Sequence, residues 1–291
     1  MSRSTGFSSR YINSGEVRNR GVELELTTTP VQTTHFRWNV NVNWAKNNSD
    51  VVSLTGGVSR FVIGSYWGIS VTADQGQPYG NLVGVDWKHD NSGHIVVDAS
   101  GLPIPDNTQV VLGNYNPKWN GGITNTFTYN DVSLSLLFDG QYGGNIYSVT
   151  KWFGQYSGVL ANTLDGRQKD WCAPGLVVAN SVHEDGTPNT TAVCPQTFWE
   201  NTFYANSPGI IDASYLKLRD ARLSFNLPHR FVQRMGFSTA TFSLVGHDLF
   251  LWSKNDVIDP ETNFDASNVQ GVEQGQLPTP RSIGFTLSIQ P

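Results

Sequence analysis

No run in this sequence approaches the ~18 consecutive apolar residues that a membrane-spanning helix needs. Charge is sparse as well: only 15% of the 291 residues are charged, and 19 Lys and Arg face 24 Asp and Glu with no basic stripe along any segment. The electrostatic footprint of a nucleic-acid binder is therefore missing. Cysteine is limited to Cys172 and Cys194, there is no Cys-x-x-Cys, and the six His form no His-x-x-x-His pair. Those absences remove the spacings of zinc and thiol-redox centres, so no cofactor is expected. Scattered His and Ser suggest no triad, and Glu23 and Glu25, two residues apart on one strand face, read more simply as wetting that face than as a glycosidase pair. The chain is not expected to be an enzyme. Met1-Ser2-Arg3-Ser4-Thr5 carries no secretory leader either.

What the sequence does have is rings, glycine and alternation. Aromatics reach 12%, with nine Trp, and there are 29 Gly, a composition poor in helix formers and rich in strand and turn formers. From Phe36 to Trp44 every even position is apolar or aromatic and every odd position polar or charged, which is a strand with one greasy and one wet face. The same pattern recurs at about 17–29, where Pro30 reads as a stop, at 119–129, and from Val132 to Ile146 after a short turn at Asn130-Asp131. It returns at 214–227, where the apolar parity flips near Arg219-Asp220 and predicts a β-bulge, then at 239–252 and 283–290. About seven long strands result, with aromatics near their ends and connections that alternate short and long. These features point to an all-β, transmembrane antiparallel β-barrel wall whose long loops are extracellular, since a membrane strand needs only about 9–11 residues and gives a weak hydropathy signal. A secreted β-sandwich that binds carbohydrate through exposed rings produces the same alternation, and a passive porin-like wall is a third reading.

The long connections hold the candidate functional residues. Residues 47–117 read as a partly structured loop with a small hairpin around Asn91-Ser92-Gly93, joining Val83-Gly84-Val85 to Ile95-Val96-Val97. Tyr66, Trp67, Tyr79, Trp87, Trp152, Tyr156, Trp171 and Trp199 lie in these connections, where rings either stack on a ligand or pack the loops together. Cys172 and Cys194 share one loop as a disulfide or as two free thiols. Asp256, Asp259, Glu261 and Asp265 form an acidic cluster that suits a hard cation less well than a capped turn around Asp259-Pro260. No metal site is expected.

Several blocks, in order, carry a family resemblance. They are Asn19-Arg20-Gly21-Val22-Glu23-Leu24; Gly113-Asn114-Tyr115-Asn116-Pro117-Lys118-Trp119-Asn120-Gly121-Gly122; Asp212-Ala213-Ser214-Tyr215-Leu216-Lys217-Leu218-Arg219 with Leu227-Pro228; Gly246-His247-Asp248-Leu249; and Asp259-Pro260-Glu261-Thr262-Asn263. Over nearly its whole length, 1–291, the chain resembles the C-terminal barrel portion of SusC/RagA-type TonB-dependent outer-membrane transporters. That resemblance implies a barrel of about 22 strands around a plug. It also implies a SusD-like surface lipoprotein as partner, energy from the TonB complex through an N-terminal part, outer-membrane lipid around the wall, and import of glycans or peptides. The chain departs from the family in lacking the plug, the TonB-contacting segment and about two thirds of the strands, in Asp248 where Asn is usual, and in ending Gln290-Pro291 without a terminal aromatic. An open arc of strands leaves backbone amides unpaired in hydrocarbon, so the expectation is the C-terminal piece of a longer protein.

Overall fold

The computed structural model describes Gly6 and residues 15–291; the stretch Met1–Thr5, read above for a secretory leader, lies outside them. Strands β1 (Gly15–Gln32) and β2 (Phe36–Leu54) form the first hairpin. The first long connection carries β3 (Arg60–Tyr66), β4 (Ile69–Asp74), β5 (Asn81–Trp87), β6 (Ile95–Val97) and β7 (Pro105–Asn114). A second hairpin, β8 (Trp119–Tyr129) and β9 (Val132–Tyr142), leads to β10 (Asn145–Ser148), helix α1 (Val149–Tyr156), β11 (Ser181–His183), helix α2 (Pro195–Asn201) and β12 (Ile210–Asp212). After β13 (Tyr215–Asn226), helix α3 (His229–Arg234) and β14 (Thr239–Ser253), the third long connection holds β15 (Val272–Glu273) before β16 (Ser282–Gln290).

Seven strands make one antiparallel sheet in the order β1-β2-β8-β9-β13-β14-β16, which leaves β1 and β16 as open edges. Register carries the alternation across every junction. Leu26 faces Val42, Val42 faces Ile123, Ile123 faces Phe138, and Phe138 faces Leu218. Leu223 then faces Leu244, and Leu244 faces Phe285, so one continuous face is apolar from edge to edge. The other face carries Glu23, Glu25, Asn41, Asn43, Thr124, Thr126, Ser135, Asp139, Ser224 and Ser243 in the same way. Because side chains alternate strictly, a one-residue slip anywhere would send the apolar set to the wet side.

No second sheet covers the apolar face among the described residues. Of Phe36, Trp38, Val40, Leu134, Leu136 and Phe285, the residues a sandwich would seal between layers, only Val40 is buried, and Phe285 is 74% exposed. Asn125, placed on the apolar face opposite Val40, accepts a hydrogen bond from the Trp38 indole N–H at 3.1 Å and so is not left bare. The ten residue steps from Trp119 to Tyr129 span about 33 Å along the strand. At a tilt of about 40° that becomes roughly 25 Å, the height of an outer-membrane barrel's apolar band.

Several expected boundaries shift. Pro30 does not stop β1: the ladder skips there, between Thr28 and Val31, and resumes at Val31–Trp38, because a proline at a bulge in an edge strand costs no ladder bond. The turn is 33–35, held by the Thr33 amide donating to the Phe36 carbonyl at 2.8 Å. Polar residues Asn47–Asp50 extend β2 because they pair with Arg18–Gly21 of β1. The bulge at Arg219 is present, with both neighbouring ladders skipping between Leu218 and Asp220. Strand β9 ends at Tyr142, and Gly143 and Gly144, with φ of 78° and 81°, turn the chain so that Ile146 belongs to β10 in a different sheet.

The expected hairpin joining Val83-Val85 to Ile95-Val97 is incorrect. Asp90–His94 does make a tight turn, but it joins Lys88 and His89 to Val96 and Ile95, while β5 pairs with β4 and β7 and β6 pairs in parallel with β11. The long connections are more ordered than a partly structured loop. β3-β4-β5-β7 form a sheet, β12-β10-β15 form another, and a shared core of Ile69, Val71, Leu82, Tyr147, Val149, Trp152 and Val272 draws on all three connections.

The apolar face gives a direct test. Leu134→Arg should cost about 2–4 kcal/mol of folding free energy in lipid vesicles, whereas Ser135→Arg on the opposite face should cost less than about 1 kcal/mol. Equal costs would show that the two faces do not meet different solvents.

Candidate ligand-binding surface

The polar face of the sheet and the loop assembly above it form the candidate functional surface, and an ion network joins them. Lys217 on β13 is 2% exposed and is held by Asp259 at 2.8 Å and by Glu261. Arg219, pushed out by the bulge, grips Asp139 through Nε and Nη2 at 2.9 Å each, reaches Asp248 at 3.1 Å and binds Glu261 through both terminal nitrogens. Tyr215 donates its hydroxyl to Glu261 at 2.8 Å. Burial raises the Glu261 carboxyl pKa, but hydrogen bonds from Arg219, Lys217 and Tyr215 outweigh it and hold the group at about 2.

Three of the resemblance blocks therefore meet at one place, and they pin the connection 254–281 to the wall. Asp248 itself sits at φ 51°, a left-handed conformation that Asn and Asp tolerate best. The acidic cluster does not gather around a cation. Asp259 and Glu261 neutralise Lys217 and Arg219, Asp265 accepts from the Ser267 amide at 2.7 Å, and no metal-holding group of acids, His and Cys forms among the described residues.

Two further buried polar contacts lock the loops. Glu273, fully buried, accepts from the Ser148 and Thr150 hydroxyls at 2.6 Å each and from the Thr150 amide at 3.2 Å. Its charge thus lies at the N-terminus of α1, where exposed amides favour an anion, while Ser148 caps the helix by accepting from the Lys151 amide. Asn206 accepts from the Val85 amide at 2.9 Å and donates to the Trp67 carbonyl at 3.2 Å. The block at Gly113–Gly122 has a packing role as well: the Asn114 and Asn116 side chains donate to the Tyr79 carbonyl, and the Tyr115 side chain lies where a Cβ on Gly80 or Gly271 would clash. Burial pushes the Tyr115 and Tyr147 hydroxyls up to about 12, so both stay protonated at any physiological pH, and Tyr147 accepts from the Asn206 side chain at 3.4 Å.

The eight loop aromatics divide. Trp152 is 4% exposed and donates its indole N–H to the Thr202 and Ala205 carbonyls at 2.9 and 3.0 Å, and Trp87 is buried, so both pack in the interior. Tyr66 packs edge-on against Phe264 at 5.3 Å, and Tyr79 is half-buried within the asparagine cluster. Trp67 stands exposed with its edge against Phe153 at 5.2 Å. Tyr156, Trp171 and Trp199 come together around one cavity of about 360 Å³, beside Arg167, Gln196 and Glu200. Trp171 is 63% exposed there, and the Trp199 indole N–H is shielded from solvent without an acceptor among the described residues. Cys172 and Cys194, 4.6 Å apart at Cα, are bonded to each other and tie the segment carrying Trp171 to the start of α2. Phe203 and Tyr204, both exposed beside this cluster, escaped the sequence reading although they are loop aromatics of the same kind.

A second, polar cavity of about 650 Å³ opens on the wet face of the sheet, where Glu23, Glu25, Asn43, Asn120, Gln141 and Arg219 converge. Glu23 and Glu25 make no salt bridge among the described residues. The arrangement gathers hydrogen-bond acceptors and donors on the wet face of the sheet.

Comparison with known proteins bears out the resemblance. No protein-family model matches the chain. Two curated TonB-dependent receptors of Formosa agariphila, P26 and P3, are 28% and 22% identical over 98% of this chain. The chain spans about 30% of the length of these relatives. Among solved structures, the RagAB peptide transporter superposes with a TM-score of 0.69 at 18% identity, over 99% of this chain and 31% of that one. The RagAB peptide importer in the "open-open" state gives 0.68 at 17% identity, over 100% and 30%. At those identities the structural likeness is one of fold.

Removing Lys217 as Lys217→Ala should cost about 3–5 kcal/mol in thermal unfolding, because the buried Asp259 carboxylate loses its cation and Glu261 one of its two. The Glu261 contribution has a definite pH sign: its folded pKa lies below the ordinary 4.5, so the stabilisation is complete above about pH 4.5 and is lost as pH falls towards 2. Glu261→Gln should flatten the acid limb of a stability–pH curve measured between pH 2 and 6; an unchanged limb would place the acid sensitivity elsewhere.

Proposed function

We propose that this chain is part of the wall and extracellular cap of a TonB-dependent outer-membrane importer of oligosaccharides or peptides. The observation that carries the reading is the single apolar face, unbroken across six strand junctions and uncovered by any other layer among the described residues. Lipid is the solvent that makes such a face stable. The open edges at β1 and β16 are then closed by further strands of a longer polypeptide, since unpaired amides in hydrocarbon cost several kcal/mol each. Curated relatives named as TonB-dependent receptors support that reading.

Within this reading, the remaining parts of the longer chain contact the TonB complex, and a SusD-like lipoprotein closes over the cap. The exposed rings of Tyr156 and Trp171, with the free Trp199 indole N–H and Arg167, receive the incoming ligand. Stacking rings serve sugar faces and peptide side chains alike, and the polar cavity around Glu23, Glu25 and Arg219 gives a hydrated path below. The relatives are receptors and transporters, and the chain's role is transport without chemistry on the substrate.

The test has two parts. Expressed in its complete polypeptide, the chain should fractionate with the outer membrane and need detergent for extraction; a soluble, monomeric product would end the barrel reading. Trp171→Ala combined with Tyr156→Ala should weaken capture of labelled oligosaccharide or peptide mixtures about ten-fold, equal to about 1.4 kcal/mol, with surface levels unchanged. Undiminished capture would remove these rings from the ligand path.

A further inference from the structure

The apolar face is not uniform. At one level of the sheet the cross-strand partners run Trp44–Gly121–Gly140–Leu216–Trp252 over five neighbouring strands. Two adjacent glycines remove the side chains from the middle of the row, while bulky residues remain at both ends. The result is an outward-facing apolar groove of about 590 Å³. Below it, towards the short turns, Ile123 and Phe138 form the next cross-strand pair. Above it, Trp119 stacks on Tyr142 at 6.1 Å and 23°. The glycines themselves are obligatory for backbone approach: a Cβ on Gly121 would lie 2.6 Å from the Asn43 carbonyl oxygen, and one on Gly140 2.5 Å from that of Tyr215.

At the loop end of this groove stand two cations. The Lys118 and Lys254 ammonium groups lie 5.6 and 5.2 Å from the centre of the same Tyr142 ring. Lys254 is paired with Asp212 at 2.8 Å, whereas Lys118 is exposed and has no carboxylate within ion-pair distance among the described residues. Two ammonium groups, one of them uncompensated, thus cap an apolar slot that opens on the face turned to lipid. Apolar length next to positive charge is the complement of an acyl chain ending in an anionic head.

We infer that this groove is a binding site for a phosphate-bearing lipid of the leaflet on the long-loop side, with an acyl chain over Gly121 and Gly140 and the phosphate at Lys118 and Lys254. The inference rests on the membrane-wall reading and adds a ligand that the transport role does not require. Bound lipid would fill the gap between Trp44 and Leu216 that the glycines leave. The phosphate would supply the anion that Lys118 lacks.

The experiment uses the complete polypeptide carrying this chain, extracted from outer membranes in mild non-ionic detergent, with retained phosphate-bearing lipid counted by native mass spectrometry. One lipid per chain should survive extraction. Ile123→Trp, which fills the groove with a ring on a lipid-facing position, and Lys118→Glu, which inverts the free charge, should each cut retention at least ten-fold. Lys118→Arg and Leu287→Trp, the latter on the same face four strands from Gly121, should retain it. Equal retention in all variants overturns the site, as does a lipid-free parent or a lipid that survives Lys118→Glu. A protein that copurifies with the parent and is lost with Ile123→Trp overturns it too, by assigning the groove to a protein contact. Absence of the polypeptide from the outer-membrane fraction would sink the importer reading along with this one; presence there without the expected lipid losses sinks this one alone.

Discussion

The cross-strand hydrogen bond is the constraint from which the rest of this architecture follows. A backbone amide that faces hydrocarbon has no water to fall back on, so each long strand must be paired along its whole apolar length. Pairing fixes register, register fixes which side chains share a face, and the sharing turns seven separate alternating stretches into one apolar surface. Two of the places where the ladder is interrupted show the same rule. At Pro30 the missing donor falls in a bulge of an edge strand, and at Arg219 the extra residue carries a guanidinium towards the wet side, where four carboxylates meet it and Lys217.

That ion network links wall and cap. Lys217 is nearly inaccessible to solvent, and a lone ammonium in that position would carry a large desolvation cost. Asp259 and Glu261 remove the cost only if the 254–281 connection lies against β13, so the charge specifies where the connection sits. From there β15 delivers Glu273 to the start of α1, and Val272 enters the core shared with β4, β5 and β10. Electrostatics at the rim and apolar packing above it therefore support one arrangement.

How much of this the sequence disclosed depends on the range over which each signal acts. The wall was legible because a period of two is a local pattern, and Phe36–Trp44, Val132–Leu136 and Ile283–Ile289 state it without interruption. The Arg219 bulge was legible for the same reason, as a parity change within one strand. The cap was not. β4 is buried on both faces, so Ile69, Val71 and Ala73 do not alternate with exposed residues, and β6 finds its partner 86 residues away at β11. The local turn at Asn91-Ser92-Gly93 was real, but the choice of flanking partners was made by distant strands. The ion network escaped because its pairs are 29 to 80 residues apart, and among the loop rings nothing local separates Trp152, a core residue, from Trp171, an exposed one.

One core built from three separate connections has an evolutionary consequence. A substitution at Tyr147, Trp152 or Val272 disturbs all three insertions at once, so no single one is free to drift or to change length near that centre. Variation on the loop surface is thereby channelled to peripheral positions such as Trp171 and Tyr204, which are exposed and outside the shared core. Related chains should accordingly keep the buried hub while exchanging its fringe.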